Sequence, residues 1–484
     1  MHSLSNSIRD VAQLVAHYVR DVGVGRSSRL IPTNQRKDEG DKGHIVRHIL
    51  YQIFKTEELT KRRGLGEQSL TSSCLYEKQP MKKIIVLLLL ICSLPFRLPT
   101  CMSCTSVIIS GKATPDGRPI LFKHRDAMSG MRNLPMVFQG ERYRYLALVN
   151  ASDLGQKSAW GGHNEAGFAI INTAAYNLNG PEGIDSNGDG ALMKRALEVC
   201  ATLKDFETLL DTLPKPMDLN SNFGVMDAQG GCAYYETNNY KYVKFDVNDP
   251  VVAPRGYLMR TNFGTTGAEN LRTGAERYAA ITAFMEDAEK RGNIRYDYLL
   301  TQIPRNLTHG LTHINLYDWM PDTADEPQMF PFRDFIPRYT STAVMLFQGV
   351  LPGEPAANTL CWTIAGYPLT AVAMPLALLP TGKLPAVQKP TDNNCSWLCN
   401  KSLELKNRLF CVSEGNGNDY INLAALINKQ NTGLLQQILP IEQVVMVHAS
   451  EAVATLRTKK KGWEAMEKFY DWLDEYLMSQ YGNL

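Results

Sequence analysis

The chain has 484 residues, with 51 Lys and Arg against 49 Asp and Glu, and 44% of its residues are hydrophobic. This composition is that of a globular protein, and it excludes intrinsic disorder, collagen-like repeats and a long coiled coil. The formal net charge of +2 also argues against a dedicated nucleic-acid binder, which would carry a basic surplus.

Residues 1–80 are polar and basic, and they show little periodicity. Within them, residues 10–33 resemble the peptides obtained when a transfer-RNA gene is translated by mistake. We therefore interpret residues 1–80 as an over-extended gene start that is not part of the real protein. The alternative is a cytoplasmic domain that precedes a signal anchor.

One strongly apolar run, MKKIIVLLLLICSLPF, covers residues 81–96. It is too short to span a bilayer comfortably, since spanning needs about 20 residues. The basic start, the apolar middle and the small residues near Ser103 predict a secretory signal peptide over residues 81–103. The alternative is a buried helix that follows two lysines. We expect a bacterial protein exported to the periplasm or the extracellular space.

Residues 104–484 carry 35 Lys and Arg against 40 Asp and Glu, a net charge of about −5, and seven cysteines. An odd number of cysteines in an exported protein suggests that one thiol is kept free for chemistry. Cleavage after Ser103 would make Cys104 the N-terminal residue. Its α-amine, with a reference pKa of about 8, could then act as the general base for its own thiol.

Three other interpretations of Cys104 stay open: a redox pair with Cys101, a lipid-modified cysteine and an ordinary disulfide cysteine. The sequence that follows predicts strands over 105–110 and 120–124 around a Pro-Asp-Gly turn. Cys104 would therefore begin a buried hairpin.

Further polar residues stand at or near the ends of predicted strands, or on a predicted helix. They are Lys123 near the end of the second strand, Asp126 three positions later, Asn172 at the end of 168–172, Asn262 at the end of 257–262, and Arg277 on a helix over 275–290. Taken singly, such residues are commonly caps, turn residues or surface ion pairs. Their order and spacing after a Cys-Thr pair are more specific.

This combination resembles the N-terminal nucleophile (Ntn) hydrolase superfamily, in particular the linear amide C–N hydrolases. These include choloylglycine hydrolase, penicillin V acylase, related acyltransferases and N-terminal-cysteine dipeptidases. The resemblance extends from Cys104 to about residue 375. The usual basic residue after the second strand is Arg in this superfamily, so Lys123 is a departure, and Arg125 is the alternative.

The resemblance implies that the Cys104 thiolate attacks the amide and that its α-amine takes and returns the proton. Asn172 is expected to donate to the oxyanion, and Asn262 to hold the α-amine and the substrate. Asp126 is expected to accept a hydrogen bond from the amine or the thiol.

Lys123 and Arg277 are expected to place positive charge beside the thiol, which favours the thiolate. We expect no cofactor and no metal ion in this site.

The expected function is that of an exported cysteine-nucleophile amidase, a hydrolase of linear C–N amide bonds other than peptide bonds that acts through an acyl-enzyme thioester. It would be similar to bile-salt hydrolase or penicillin acylase. The alternatives are an acyltransferase of the same fold, a dipeptidase and a non-catalytic ligand-binding surface protein. The expected partner is a small-molecule amide. We expect no nucleic acid and no stable membrane insertion after signal removal, and a homo-oligomer stays open.

The fold class expected from the resemblance is α+β, a four-layer αββα sandwich of two antiparallel sheets with outer helices. Further strands are predicted over 224–226, 232–236, 343–348 and 359–364, and further helices over 191–213 and 463–478. The catalytic domain would occupy residues 104–484, and its part from about 380 lies beyond the resemblance. One disulfide among Cys395, Cys399 and Cys411 is expected in preference to a zinc site.

Overall fold

The computed structural model describes residues 104–127, 131–179 and 188–484. The predicted signal peptide, residues 81–103, and the segment 1–80 lie outside the described residues. In the described ranges, no helix is long and apolar enough to cross a membrane.

The described residues form strands and helices that alternate in blocks along the chain. The strands are β1 (Thr105–Ile109), β2 (Ile120–Asp126), β3 (Asn133–Gln139), β4 (Arg144–Asn150), β5 (Gly162–Asn164), β6 (Ala169–Ala174), β7 (Ser221–Met226), β8 (Cys232–Thr237), β9 (Tyr242–Asp246), β10 (Tyr257–Arg260), β11 (Met329–Pro331), β12 (Ser341–Gln348), β13 (Leu360–Ala365), β14 (Met374–Leu376) and β15 (Tyr420–Asn422). The α-helices are α1 (Asp189–Val199), α2 (Leu203–Thr212), α3 (Ala275–Lys290), α4 (Tyr296–Gln302), α5 (Trp397–Leu409), α6 (Leu423–Leu426), α7 (Leu434–Thr458) and α8 (Trp463–Tyr481).

Two antiparallel sheets dominate the fold. The first has the order β10-β1-β2-β12-β13-β14, and the second runs in sequence from β3 to β9. Strands β1 and β2 are buried along their whole lengths because they lie in the interior of the first sheet, which is covered on both faces. A small third sheet pairs β11 with β15.

The two large sheets face each other. The hydroxyls of Ser106 on β1 and Tyr234 on β8 are 2.8 Å apart across the interface. A Cβ atom at Gly224 would lie 2.9 Å from the Leu121 side chain, so glycine permits the close approach of the sheets at this point.

Helices cover the outer faces of both sheets. Phe206 of α2 packs against Phe168, Phe223 and Tyr235 of the second sheet, with ring centroids 5.2–6.3 Å apart. Helices α3 and α7 contribute to the apolar core on the outer side of the first sheet. The fold class predicted from the resemblance, an α+β four-layer αββα sandwich, is confirmed by this layering.

The helix predicted over 191–213 is wrong as a single element. The chain instead forms α1 and α2, because Thr202 caps the start of α2: its side chain accepts from the Asp205 N–H, and the Asp205 carboxylate accepts from the Thr202 N–H. The helix predicted over 275–290 is confirmed as α3 with the same bounds.

The expected disulfide is also wrong: all seven cysteines of the described residues are free thiols. The sulfurs of Cys395 and Cys399 lie 3.8 Å from the main-chain oxygen and 3.5 Å from the main-chain nitrogen of Asn133, respectively. Cys411 is exposed beyond the other end of α5, so the length of this helix separates it from the first two cysteines.

Residues beyond about 380 pack on the first sheet. The Tyr470 hydroxyl of α8 accepts from the Ala377 N–H at 2.9 Å, and the Tyr481 hydroxyl donates to the Thr370 carbonyl at 2.9 Å. The buried pair of Arg305 and Glu442 links α7 to the same core.

Candidate active site

Cys104 stands directly before β1, and only 4% of its surface is exposed. Its main-chain N–H donates to Asn262 Oδ1 at 2.8 Å. Its thiol lies 3.9 Å from the main-chain oxygen of Asp126, at the end of the neighbouring strand β2. The pairing of β1 with both β2 and β10 therefore brings the thiol, Asp126 and Asn262 to one end of the sheet.

Arg277 of α3 fixes this arrangement from the outer side of the sheet. Its guanidinium donates to the Cys104 carbonyl, to Thr105 Oγ1 at 3.0 Å and to Asn262 Oδ1 at 2.8 Å. Asn262 Nδ2 in turn donates to the Ala174 carbonyl at 2.8 Å. Asn262 thus contacts the Cys104 nitrogen, as the sequence predicts, and Arg277 orients both residues.

Gly274, which precedes α3, makes room for the guanidinium. Its φ of 82° is in the left-handed region, and a Cβ atom there would lie 2.0 Å from Arg277 Nη2. Burial lowers the pKa of Arg277 to about 9; the Arg338 charge acts in the same direction, while Asp126 and Cys104 oppose it.

The Asp126 carboxylate does not contact the thiol or the nitrogen of Cys104. It accepts from Arg338 Nε at 2.9 Å and from the Ser341 hydroxyl at 2.7 Å. Ser341 Oγ also lies 2.8 Å from His124 Nε2. The predicted role of Asp126 is therefore corrected: its main chain contacts the thiol, and its side chain anchors the segment before β12.

Sequence reasoning missed Arg338 because the residue stands in a loop 212 positions after Asp126, where no local pattern marks it. Burial raises the pKa of the Asp126 carboxyl, but the Arg338 and His124 interactions outweigh burial and hold this pKa at about 2. Asp126 is therefore ionised throughout the physiological range.

We expect Asp126→Asn to destabilise the fold by about 3–5 kcal/mol at pH 7, because the Arg338 charge would lose its buried partner. The contribution of Asp126 is present above its ordinary pKa of 3.8 and is lost as the pH falls through about 2. Urea unfolding of both proteins between pH 2 and pH 7 measures the difference, which should shrink at acid pH. The exposed pair of Asp322 and Lys429 supplies the control, since Asp322→Asn should leave the unfolding midpoint unchanged. Equal stability of Asp126→Asn and wild type at pH 7 would contradict the expectation.

Lys123 and Asn172 contact each other rather than Cys104. Lys123 Nζ donates to Asn172 Oδ1 at 2.6 Å and to the Trp160 carbonyl at 2.7 Å. Asn172 Nδ2 donates to Asp189 Oδ2 and Ser221 Oγ, each at 3.1 Å.

Both amide hydrogens of Asn172 are therefore donated to protein groups, and the predicted role of this side chain as oxyanion donor is corrected. The physical reason is its strand face. Ile170 and Asn172 share one face of β6, and Ile170 belongs to the apolar cluster formed with α1 and α2. The Asn172 amide accordingly binds Asp189 at the start of α1.

Buried basic side chains lie in the neighbourhood of Cys104. Burial lowers the pKa of Lys123 to about 8 and that of Arg125 to about 10, and the negative charge of Cys104 opposes both shifts. Cys104 acts on Arg277 in the same sense. The side chains of Lys123, Arg125 and Arg277 are therefore buried within electrostatic range of Cys104.

Arg125 was only an alternative to Lys123 in the sequence, and the structure gives it a defined position. Its guanidinium donates to Asn133 Oδ1 at 2.6 Å and to Asn150 Oδ1 at 2.8 Å, and lies 5.1 Å from the centre of the Trp160 ring. Arg125 thus links β2 to β3 and β4 of the second sheet.

Solved structures similar to this chain include three enzymes. The Caenorhabditis elegans N-acylethanolamine-hydrolyzing acid amidase ortholog is 14% identical, with a TM-score of 0.33, over 52% of this chain and 94% of that protein. A variant of conjugated bile acid hydrolase from Clostridium perfringens is 10% identical, with a TM-score of 0.34, over 57% of this chain and 92% of that protein. Penicillin V acylase from Agrobacterium tumefaciens is 15% identical, with a TM-score of 0.29, over 57% of this chain and 86% of that protein.

No protein-family model and no curated protein sequence matches the chain. Two of the three, conjugated bile acid hydrolase and penicillin V acylase, are of kinds that the sequence motifs resemble.

Proposed function

We propose that this protein is an exported amidase that hydrolyses a linear C–N amide bond with Cys104 as its nucleophile. The observation that supports the proposal is the environment of this residue. Its nitrogen is held by Asn262, its carbonyl by Arg277, and three buried basic side chains lie within electrostatic range of its sulfur. A cysteine that served only as a core residue would not need such surroundings.

In the proposed reaction, the Cys104 thiol gives its proton to the α-amine and the sulfur attacks the amide carbonyl carbon. The C–N bond breaks, the α-amine returns the proton to the leaving amine, and a thioester remains. Water then attacks the thioester, the acid is released and the thiol regains its proton.

The proposal requires cleavage after Ser103, because the nitrogen of an internal Cys104 belongs to a peptide bond and cannot accept a proton. Removal of the predicted signal peptide during export would leave Cys104 as the first residue. N-terminal sequencing of the exported protein should give Cys104 as the first residue. A mature chain that begins before Cys104 would contradict the mechanism.

The activity itself is tested by amine release from a panel of amides: glycine and taurine conjugates of bile acids, penicillin V, N-acyl amino acids, N-acylethanolamines and dipeptides. We expect turnover of at least one class by the purified protein beginning at Cys104. Product formed only when an acceptor amine is added would indicate an acyltransferase instead. Complete inactivity of a well-folded protein would favour a binding protein.

We expect the rate to depend on pH through Lys123. The α-amine must be neutral, which gives a rising limb, and Lys123 loses its charge as the pH rises through about 8, which gives a falling limb. In Lys123→Arg, the guanidinium stays charged, so the falling limb should move to higher pH. The measurement is kcat/KM from pH 5 to pH 10, with the exposed Lys112→Arg as the control. An unchanged falling limb in Lys123→Arg would exclude Lys123 as its source.

A further inference from the structure

A cleft of about 470 Å³ lies between the chain around Arg132 and helix α5. We name it the α5 cleft, and its polar lining comes from Arg132, Tyr339, Asn393, Asn400, Glu404, Lys406 and Asn407. Its volume is in the range of small-molecule sites.

A buried cation lies in the wall of this cleft. Lys406 is 2% exposed, and its ammonium donates to the Tyr339 carbonyl at 2.5 Å and to Met131 Sδ at 3.6 Å. The ammonium also lies 3.8 Å from the centre of the Tyr339 ring and 5.1 Å from that of Tyr367. Within the described ranges, no carboxylate lies within 4.0 Å of this ammonium.

An unpaired buried ammonium is unfavourable, and the pKa of Lys406 reflects this. Burial lowers it to about 7, and the more distant charges of Asp126 and Cys399 only partly oppose the shift. An anion bound in the cleft would restore the charged form of Lys406. The Lys406 ammonium therefore has a carbonyl and an aromatic ring as neighbours, and an anionic ligand would give it a partner of opposite charge.

The other polar groups of the α5 cleft suit a carboxylate. Arg132 is exposed and adds a second positive charge, while the Asn393 and Asn400 amides hydrogen-bond each other at 3.0 Å. Glu404, the acidic residue of the lining, is paired with Lys401 at 2.8 Å. Charge-assisted hydrogen bonds from Lys and Arg are the usual means of binding a carboxylate.

The walls of the α5 cleft are connected to the candidate active site. Beside Tyr339, Arg338 binds the Asp126 carboxylate, and the Thr340 carbonyl accepts from the Ala127 N–H at 2.8 Å. The Asp126 main-chain oxygen contacts the Cys104 thiol.

The opposite wall is connected in the same way. Asn133, the neighbour of Arg132, accepts from the Arg125 guanidinium at 2.6 Å. Both walls of the α5 cleft are thus hydrogen-bonded to residues at or directly after the end of β2.

We propose that the α5 cleft binds a carboxylate of the substrate through Lys406 and Arg132. The inference rests on the proposed amidase function and narrows its substrate to an anionic amide. The carboxylate belongs either to the amine part, as in an N-acyl amino acid, or to the acyl part, as in a dicarboxylic acid monoamide.

The first test compares three substrates of similar length: N-hexanoylglycine, neutral N-hexanoylglycinamide and adipic acid mono-N-methylamide. Arg132→Gln changes an exposed residue, so it should fold. We expect it to raise KM roughly tenfold for one of the two anionic substrates and to leave KM unchanged for the neutral one. The affected anionic substrate identifies the side that carries the carboxylate. An equal change, or no change, for all three substrates would overturn the proposal.

The second test needs no turnover. In Cys104→Ala protein, acylation of Lys406 by acetic anhydride is followed by mass spectrometry over pH 6–9, with and without each anionic compound. We expect the bound carboxylate to slow acylation and to shift its midpoint to higher pH. Lys460, which is exposed, is the internal control.

The two tests separate the two proposals. Protection of Lys406 in a protein that hydrolyses no amide would retain the carboxylate site and overturn the amidase function. Amide hydrolysis that depends on Cys104, without protection of Lys406 by either anionic compound, would overturn the carboxylate site alone.

Discussion

Cys104→Ala should reduce amide hydrolysis by roughly six orders of magnitude, to the background rate, because no other group in the proposed mechanism can form the acyl-enzyme. Cys104→Ser should keep the fold and lose most of the activity, since a hydroxyl ionises far less readily than a thiol. Both substitutions are small, and the hydrogen bond from the main-chain nitrogen to Asn262 does not involve the side chain.

The measurement is amine release in a stopped assay, combined with mass spectrometry of the enzyme after rapid quenching. Wild type should carry the acyl group on Cys104, and both variants should not carry a thioester. Cys411→Ser is the matched control, because this thiol is exposed beyond α5. Full activity in Cys104→Ala would contradict the proposed nucleophile. Loss of activity in Cys411→Ser to the same extent would show that the effect is not specific to Cys104.

The central hairpin could be predicted because its strands carry strong signals, whereas the four-layer arrangement was expected from the resemblance alone. The run TSVII and the run ILFKHRD, separated by a Pro-Asp-Gly turn, form the paired strands β1 and β2. Strands β3 and β4 were not predicted. Residues at the ends of these strands are only partly buried, which weakens their apolar pattern. Strand β3 also contains Pro135, which is possible there because β3 is an edge strand of its sheet.

The candidate site could be predicted only in part. Cys104, Asn262 and Arg277 come together because each is fixed by a strand or helix whose end the sequence marks. The partners of Asp126 and Asn172 could not be predicted, since they depend on side-chain direction across the sheets. Arg338 comes from a distant loop, and Asp189 from the start of a helix that packs on the other face of β6.

An extension of one residue before Cys104 should be almost as damaging as the loss of the thiol, although no side chain changes. In the chain described here, the Cys104 nitrogen is a peptide nitrogen and still donates to Asn262 Oδ1 at 2.8 Å. The position of Cys104 is therefore compatible with an extended chain. What the extension removes is the basicity of the nitrogen, which as an amide cannot take the thiol proton.

A general base typically contributes about 10²–10⁴ to the rate, and we expect a loss of that size. The cleanest comparison uses one preparation, in which a leader is removed by a site-specific protease that leaves Cys104 as the first residue. Amine release is measured before and after removal, and mass spectrometry verifies the N-terminus of each sample. Activity should appear with the free α-amine, in proportion to the fraction of molecules processed. The same activity in the intact, extended protein would show that another group is the base, and Cys104 would then act as an ordinary internal nucleophile. The dependence of the rate on the terminal amine thus distinguishes the proposed mechanism from that of any internal cysteine hydrolase.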